Sequence, residues 1–344
     1  MKLTNLRIKN FRGIKNLDVA LPCQVTLVAG RNNCGKSTLL EAVDLLACAS
    51  DPIRIGQLNT RREFTCDSLD DLATLFYGKD ESHEVSLAGA FESGLMRTVQ
   101  FQFQTPQQGD LSSDIVKKGS IRECVVNYGD QVADKDSERG AVRFYEILPG
   151  DLKWSVINQG QFGVWQSAYC TAGNEPKASD IVDKLKSACN EDWLKAYLKQ
   201  LDSNISDITT MKDQIVLRTD SPKAWLPLQL MGDGVNKIVK ILGLMCSVGD
   251  GGVVCIDEVD NGLHHTAMLK LIELILKVAK ERHVQVLMTT HNLEFMRNVS
   301  NWLKDKNESF GFLRMVHCAD GETKAFSYTA QEFGSSMSGG VEIR

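Results

Sequence analysis

Eight consecutive residues carry the plainest chemistry in this chain. Gly30-Arg31-Asn32-Asn33-Cys34-Gly35-Lys36-Ser37 follow the spacing G-x-x-x-x-G-K-[ST]. Glycines at that separation let the backbone fold tightly, so that successive N–H groups point at one anion. Lys36 adds a mobile positive charge for β- and γ-phosphates, and the Ser37 hydroxyl suits a Mg2+ ion. With Thr38 in the next turn, Gly30, Asn32, Asn33, Gly35, Lys36, Ser37 and Thr38 form the candidate phosphate-binding set.

Four further constellations lie in the second half. The apolar run Val253-Val-Cys-Ile ends in Asp257-Glu258. On a buried strand that ending puts Asp257 at a sheet edge, where it can hold Mg2+, and lets Glu258 polarise a water as general base. The plain alternative is two acids that cap the next helix. Asp260-Asn-Gly-Leu-His264 follows as a turn, with His264 a candidate for contact across an interface. The run VQVLMTT ends in His291, which at a strand tip can reach a γ-phosphate. Finally, Gly232-Asp233-Gly234 opens a helical pattern. Its backbone N–H groups at a helix N-terminus can receive an anion, unless it is an ordinary turn.

These residues need strands and helices to hold them. Leu3–Phe11, Asn16–Leu21 and Gln24–Ala29 read as strands, and Ser37–Ala49 as a helix with Leu39, Leu40, Val43, Leu46 and Ala47 on one face. Residues 84–91 and 95–103 read as a strand pair around Glu-Ser-Gly. Residues 105–180 are polar and broken by glycines, and read as short strands and loops. Ile181–Asp202 and Gly234–Cys246 read as helices, Val253–Ile256 and Val284–Thr289 as buried parallel strands. Helices are expected at 266–281 and after His291, then a strand at Phe312–His317 and an edge strand at Lys324–Tyr328. Gly334–Gly340 is Ser/Gly-rich and is expected to be flexible. No internal repeat and no long heptad run appears.

The 43% hydrophobic and 24% charged composition is that of an ordinary globular core. No apolar stretch approaches the roughly 18 residues that a membrane span needs, and the N-terminus lacks a signal peptide's apolar run. A cytoplasmic protein without membrane partners is expected. None of the ten cysteines forms a CxxC pair, which argues against zinc and for buried thiols. The net charge of −5 excludes a general polyanion binder. Residues 1–40 nevertheless carry seven bases against Asp18 alone. That excess suits either solvated strand residues or a face for nucleotide or nucleic-acid phosphates.

Taken in order, Asn10-Phe-Arg-Gly-Ile14, GRNNCGKST at 30–38, LMGDG at 230–234, VVCIDEVDNGLHH at 253–265 and TTHN at 289–292 resemble the RecF/SMC-type ABC ATPases. Within them the likeness is to the OLD-like subgroup common in bacterial anti-phage defence. The resemblance implies an α/β ABC-type P-loop NTPase fold with an N-terminal antiparallel β-subdomain and a helical lobe carrying the signature segment. One ATPase domain is expected over 1–344, its core from about 1–80 and 205–330, with an inserted lobe at about 105–200. ATP and Mg2+ are the implied ligands. The implied assembly is a head-to-tail dimer, with the phosphate loop of one chain facing Gly232–Gly234 of the other. Arg12 matches the family's N-terminal basic residue near the phosphates, and Gln104 and Gln107 are candidates for its glutamine-bearing loop. One departure stands out: Gly232 occupies the place of the signature serine, so a hydroxyl contact to the γ-phosphate is missing and hydrolysis is expected to be slow. After His291 about 50 residues remain, too few for the nuclease domain of full OLD proteins. The analogy therefore implies a separate effector such as a nuclease or toxin. A DNA-repair clamp like RecF is the alternative, and a transporter motor a more distant one.

Overall fold

The computed structural model describes residues 1–105, 122–132, 138–146, 148–159, 162–171, 181, 191–211, 214–263, 265–304, 306, 308–318 and 322–338. It divides into two units, and the chain passes between them several times. The first comprises Met1–Pro22, Arg31–Trp165 and Met315–Ser327; the second comprises Cys23–Gly30, Gln166–Arg314 and Tyr328–Arg344.

The first unit is built on a seven-stranded antiparallel sheet. Its strands are β1 (Leu3–Phe11), β2 (Ile14–Ala20), β4 (Val85–Phe91), β5 (Met96–Gln104), β6 (Glu123–Gln131), β7 (Glu138–Glu146) and β8 (Leu152–Asn158), in the order β2-β1-β4-β5-β6-β7-β8. Strict alternation along β4 buries Val85, Leu87, Gly89 and Phe91 on one face. Helix α1 (Lys36–Cys48) packs on β1, β4 and β5. Two short helices follow, each started by its own cap. In α2 (Pro52–Thr60) the Asp51 carboxylate accepts from Ile53 N and Arg54 N; in α3 (Leu69–Ala73) Ser68 and Asp71 form a capping box. The segment read as an inserted lobe thus contributes β6, β7 and β8 to the same sheet as the N-terminal strands.

The second unit contains a parallel sheet. Strands β3 (Val25–Gly30), β14 (Gln285–Thr289), β13 (Val253–Ile256) and β9 (Ser167–Cys170) lie side by side in that order, all parallel. Strands β15 (Phe310–His317) and β16 (Thr323–Thr329), which cross the unit boundary in sequence, complete a six-stranded order β16-β15-β3-β14-β13-β9. Every residue of β3, β13 and β14 is buried, which explains their unbroken apolar character. A three-stranded antiparallel sheet, β10 (Ile205–Met211), β11 (Gln214–Asp220) and β12 (Lys223–Pro227), precedes helix α5 (Asp233–Ser247). Helix α4 (Glu191–Leu201) and helix α6 (His265–Glu281) pack on α5, and α7 (Leu293–Leu303) on α6. Ile238, Ile241, Leu242 and Met245 of α5 share one core with Leu271, Ile275 and Val278 of α6.

The C-terminal segment differs from expectation. Residues Ala330–Ser338 form helix α8. Thr329 and Glu332 cap it reciprocally, with Glu332 N donating to Thr329 Oγ1 at 3.2 Å and Thr329 N to Glu332 Oε2 at 2.8 Å. Phe333 then stacks on Phe312 at 3.7 Å between ring centroids. The cap and this buried ring outweigh the weak propensity of the Gly/Ser run. The expected flexible stretch at 339–340 lies outside the described residues.

Candidate active site

In the first unit the phosphate-loop residues lead into α1. Gly35 is its N-cap at φ 94°, and a Cβ there would stand 3.0 Å from Ile14 Cγ1, so only glycine fits. The positive end of the helix carries no capping side chain and no acid in its first turn, which suits an anion. Lys36 Nζ donates to Arg31 O at 2.9 Å across the loop. Arg31, Asn32 and Asn33 are exposed, whereas Cys34 is buried. Burial raises the Cys34 thiol pKa above its ordinary value, against the opposing pull of Lys36.

Behind the loop, one turn further along α1, Glu41 is buried and needs cations. Arg62 meets it with Nε at 2.7 Å and Nη2 at 2.9 Å, and also donates to Thr38 Oγ1 at 3.4 Å. Arg12 supplies the second ion pair, Nε to Oε2 at 2.9 Å, while its Nη2 donates to Leu58 O and Asn59 Oδ1. The Arg12 side chain is only 8% exposed. The buried carboxylate of Glu41 thus draws Arg12 inward, where it braces α1. Gln104 is likewise engaged in the sheet, its amide donating to Glu123 Oε1 at 2.7 Å. Gln107 lies outside the described residues.

In the second unit the parallel register aligns the C-terminal ends of three strands. Val28 pairs with Thr289, and Met288 with Ile256. Gly30, Asp257 and Thr290 therefore leave the sheet along one edge, the edge at which open α/β sheets take ligands. Thr289 organises the acids there. Its hydroxyl donates to Asp257 Oδ1 at 2.5 Å and accepts from Glu258 N at 2.8 Å. Val259 N donates to Thr289 O at 3.0 Å. Glu258 adopts a left-handed backbone at φ 51°, rare for a residue with a Cβ. Thr290 Oγ1 donates to Asp260 Oδ1 at 2.6 Å and accepts from Asn292 N at 3.0 Å; Asn292 then caps α7 through Phe295 N. His291 Nδ1 stands 3.9 Å from Glu258 Oε1, with side chains 54% and 45% exposed, so both are open to a ligand.

Gly232, exposed and at φ 80°, is the N-cap of α5, and no side-chain cap occupies that end. Asp233 is exposed in the first turn. Gly234 is half-buried, and a Cβ there would meet only ordinary contacts at 3.8 Å, from Ala267 and Leu263. His264 lies outside the described residues.

Two residues that the sequence motifs do not single out, Thr289 and Lys237, hold the acidic turn. Lys237 Nζ donates to Glu258 O and Asn261 O, both at 2.8 Å. The available signal was its place on the apolar stripe of α5 beside Ile238 and Ile241, where a lysine needs a buried acceptor. Among the described residues no three His, Cys, Asp or Glu side chains gather as a metal cage. A Mg2+ ion carried with a nucleotide asks less of the protein, since phosphate and water complete its shell. No helix among the described residues is long and apolar enough to cross a membrane.

Comparison with known proteins bears on the family and the fold. The family "AAA domain, putative AbiEii toxin, Type IV TA system" matches residues 110–297, and the family "AAA ATPase domain" matches residues 1–138. An ATP/GTP phosphatase of Helicobacter pylori is 24% identical over 334 residues, 89% of each chain. Among solved structures, the Smc head bound to the C-terminal winged-helix domain of ScpA aligns with a TM-score of 0.52 at 12% identity, over 96% of this chain and 98% of that one. The Smc head domain with an extended coiled coil, bound to the C-terminal domain of ScpA derived from Pyrococcus furiosus, gives 0.52 at 11% identity over 98% and 99%. The fold is the ABC-type P-loop ATPase fold of the SMC head.

Proposed function

The chain belongs to the AAA-domain family that matches more than half of its length, and from that membership we propose that it binds Mg-ATP between two copies of itself and hydrolyses it there. In this reading Gly30–Thr38 cradle the phosphates through backbone N–H groups, with Asn32 and Asn33 on the exposed rim and Lys36 as the neutralising charge. Ser37 and Asp257 hold the metal, which supplies charge neutralisation at the phosphate oxygens. Glu258 accepts the proton of the attacking water, and His291 contacts the terminal phosphate. Gly232, Asp233 and Gly234 face the nucleotide of the second copy. Without a serine hydroxyl at position 232, turnover is slow and bound nucleotide persists.

The observation that supports this most is the Thr289 hydroxyl, which joins the Asp257 carboxylate to the Glu258 amide at the sheet edge where Gly30 also emerges. A purely structural pair of helix-capping acids has no use for that bridge. The order of the motifs supports an OLD-like ATPase, and the toxin–antitoxin wording of the family supports a defence setting with a separate nuclease or toxin as effector.

The test is Glu258→Gln. It preserves shape and the backbone contacts but removes the base. Hydrolysis should fall by roughly 10²–10⁴-fold with ATP binding retained. Unchanged turnover would remove Glu258 from the reaction.

A further inference from the structure

Lys237 lies in the first turns of α5, three residues beyond Gly234. It is 8% exposed, so an ammonium has been taken almost wholly out of water. Such a group persists only where acceptors replace its hydration. Here the acceptors are two main-chain carbonyls of a single turn, Glu258 O and Asn261 O. The same turn carries the acids Asp257, Glu258 and Asp260.

The effect falls on Glu258. Its N–H is held by Thr289 Oγ1 and its C=O by Lys237 Nζ. Both peptide groups that flank its Cα are therefore pinned while φ stands at 51°. A backbone fixed on both sides in the left-handed region fixes the direction in which Cβ leaves the chain. Without the Lys237 ammonium the Glu258 carbonyl keeps only the longer 3.1 Å bond from Asn261 N, so the residue can relax toward the commoner negative-φ conformations and the carboxylate turns with it. Lys237 is also rigidly part of the helix that Gly232 opens. A shift of α5 would draw the Glu258 carbonyl along with it.

We propose that Lys237 is a positioning residue: it holds Glu258 in its left-handed conformation and couples that conformation to the Gly232–Gly234 segment. This rests on the reading of Glu258 as the general base. Contact between Gly232–Gly234 and a nucleotide then sets the base through one side chain, so hydrolysis follows closure of the interface rather than nucleotide binding alone.

The experiment compares Lys237→Met and Lys237→Arg with Glu258→Gln in the full chain, each shown to be folded by circular dichroism. Methionine keeps the apolar stem and removes the donors; arginine keeps charge and donors. Lys237→Gln, which keeps an N–H but no charge, stands in if methionine prevents folding. Lys237→Met should lower kcat by roughly 10²-fold, the scale of a misplaced catalytic group, with KM for ATP and calorimetric ATP affinity unchanged. Arginine should restore most of kcat. Wild-type kcat in Lys237→Met beside a slow Glu258→Gln overturns the role of Lys237 alone. Equal losses of kcat and ATP affinity, with no rescue by arginine, overturn it as well and leave a structural lysine. Unchanged turnover in Glu258→Gln overturns both the base and its positioning.

Discussion

The phosphate loop and the acidic turn are made in different ways. The loop is local: Gly35 sets the turn, α1 begins without a side-chain cap, and the Lys36 ammonium folds back onto Arg31 O only five residues away. The acidic turn is assembled from a distance. Asp257 and Glu258 are held by Thr289, 32 and 31 positions on, and the Glu258 carbonyl also by Lys237, 21 positions back. Asp260 is held by Thr290, 30 positions on. A loop that acts through its backbone tolerates most exchanges at its variable positions. A turn held by side chains is sensitive at residues remote in sequence, and those residues carry no motif of their own.

The largest expected effect separates binding from chemistry. Lys36→Ala removes charge-assisted phosphate contacts worth ~1.5–3 kcal/mol each. ATP affinity should fall by roughly 100-fold or more while the fold persists, since the Lys36 ammonium bonds the exposed loop at Arg31 O. Calorimetric titration of the folded variant checks this, and unchanged affinity would move the phosphates elsewhere.

Thr289→Val sharpens the contrast at smaller amplitude. The exchange keeps the β-branched shape within β14 but strips the bond to Asp257 and the acceptor for Glu258 N. Loss of these bonds costs ~1 kcal/mol each. We expect kcat to fall by about 10-fold or more, with ATP affinity within a few-fold of wild type. A steady-state series in Mg-ATP measures both. A variant that loses affinity and keeps kcat would assign Thr289 to binding.

Why the loop was legible and the turn only half so follows from the same contrast. GRNNCGKS announces itself because its whole geometry is encoded in eight adjacent residues. Strands β3, β13 and β14 were legible because burial on both faces leaves an apolar run. The acids were found, but their clamps were not, because Thr289 and Lys237 gain meaning only through strand register and helix packing. The signal for α8 was present as Thr329-x-x-Glu332, a capping box masked by the following Gly and Ser. Strands β10–β12 went unread at 205–227, where mixed polar residues conceal the alternation. Strands β6–β8 looked like an independent lobe because antiparallel pairing to β5 is not visible in composition. The ion pair of Arg12 with Glu41 was not legible, because the two lie 29 positions apart.

The smallest effect concerns the variable part of the loop. Cys34 is buried with its thiol held protonated by burial, so it is a packing group at neutral pH. Cys34→Ala should change turnover by less than about 3-fold. Slow alkylation of Cys34 by iodoacetamide in the folded chain, followed by mass spectrometry, should agree. Rapid alkylation with parallel loss of activity would make the thiol part of the chemistry.

The central claim is that two copies complete each site, and mixing two inactive variants tests it most directly. Lys36→Ala leaves Gly232–Gly234 intact, and Gly234→Arg leaves the phosphate loop intact. At Gly234 a first side-chain atom meets only contacts at 3.8 Å, so arginine should be carried without unfolding and act on the closing surface. Each variant alone should be inactive. Mixed equally, half of the pairs are heterodimers with one whole site of two, and ATPase activity should return to about a quarter of the wild-type rate. Light scattering of wild-type protein alongside should show dimers that require ATP. A chain that hydrolyses ATP while remaining monomeric at every concentration, with no recovery on mixing, would contradict the shared site.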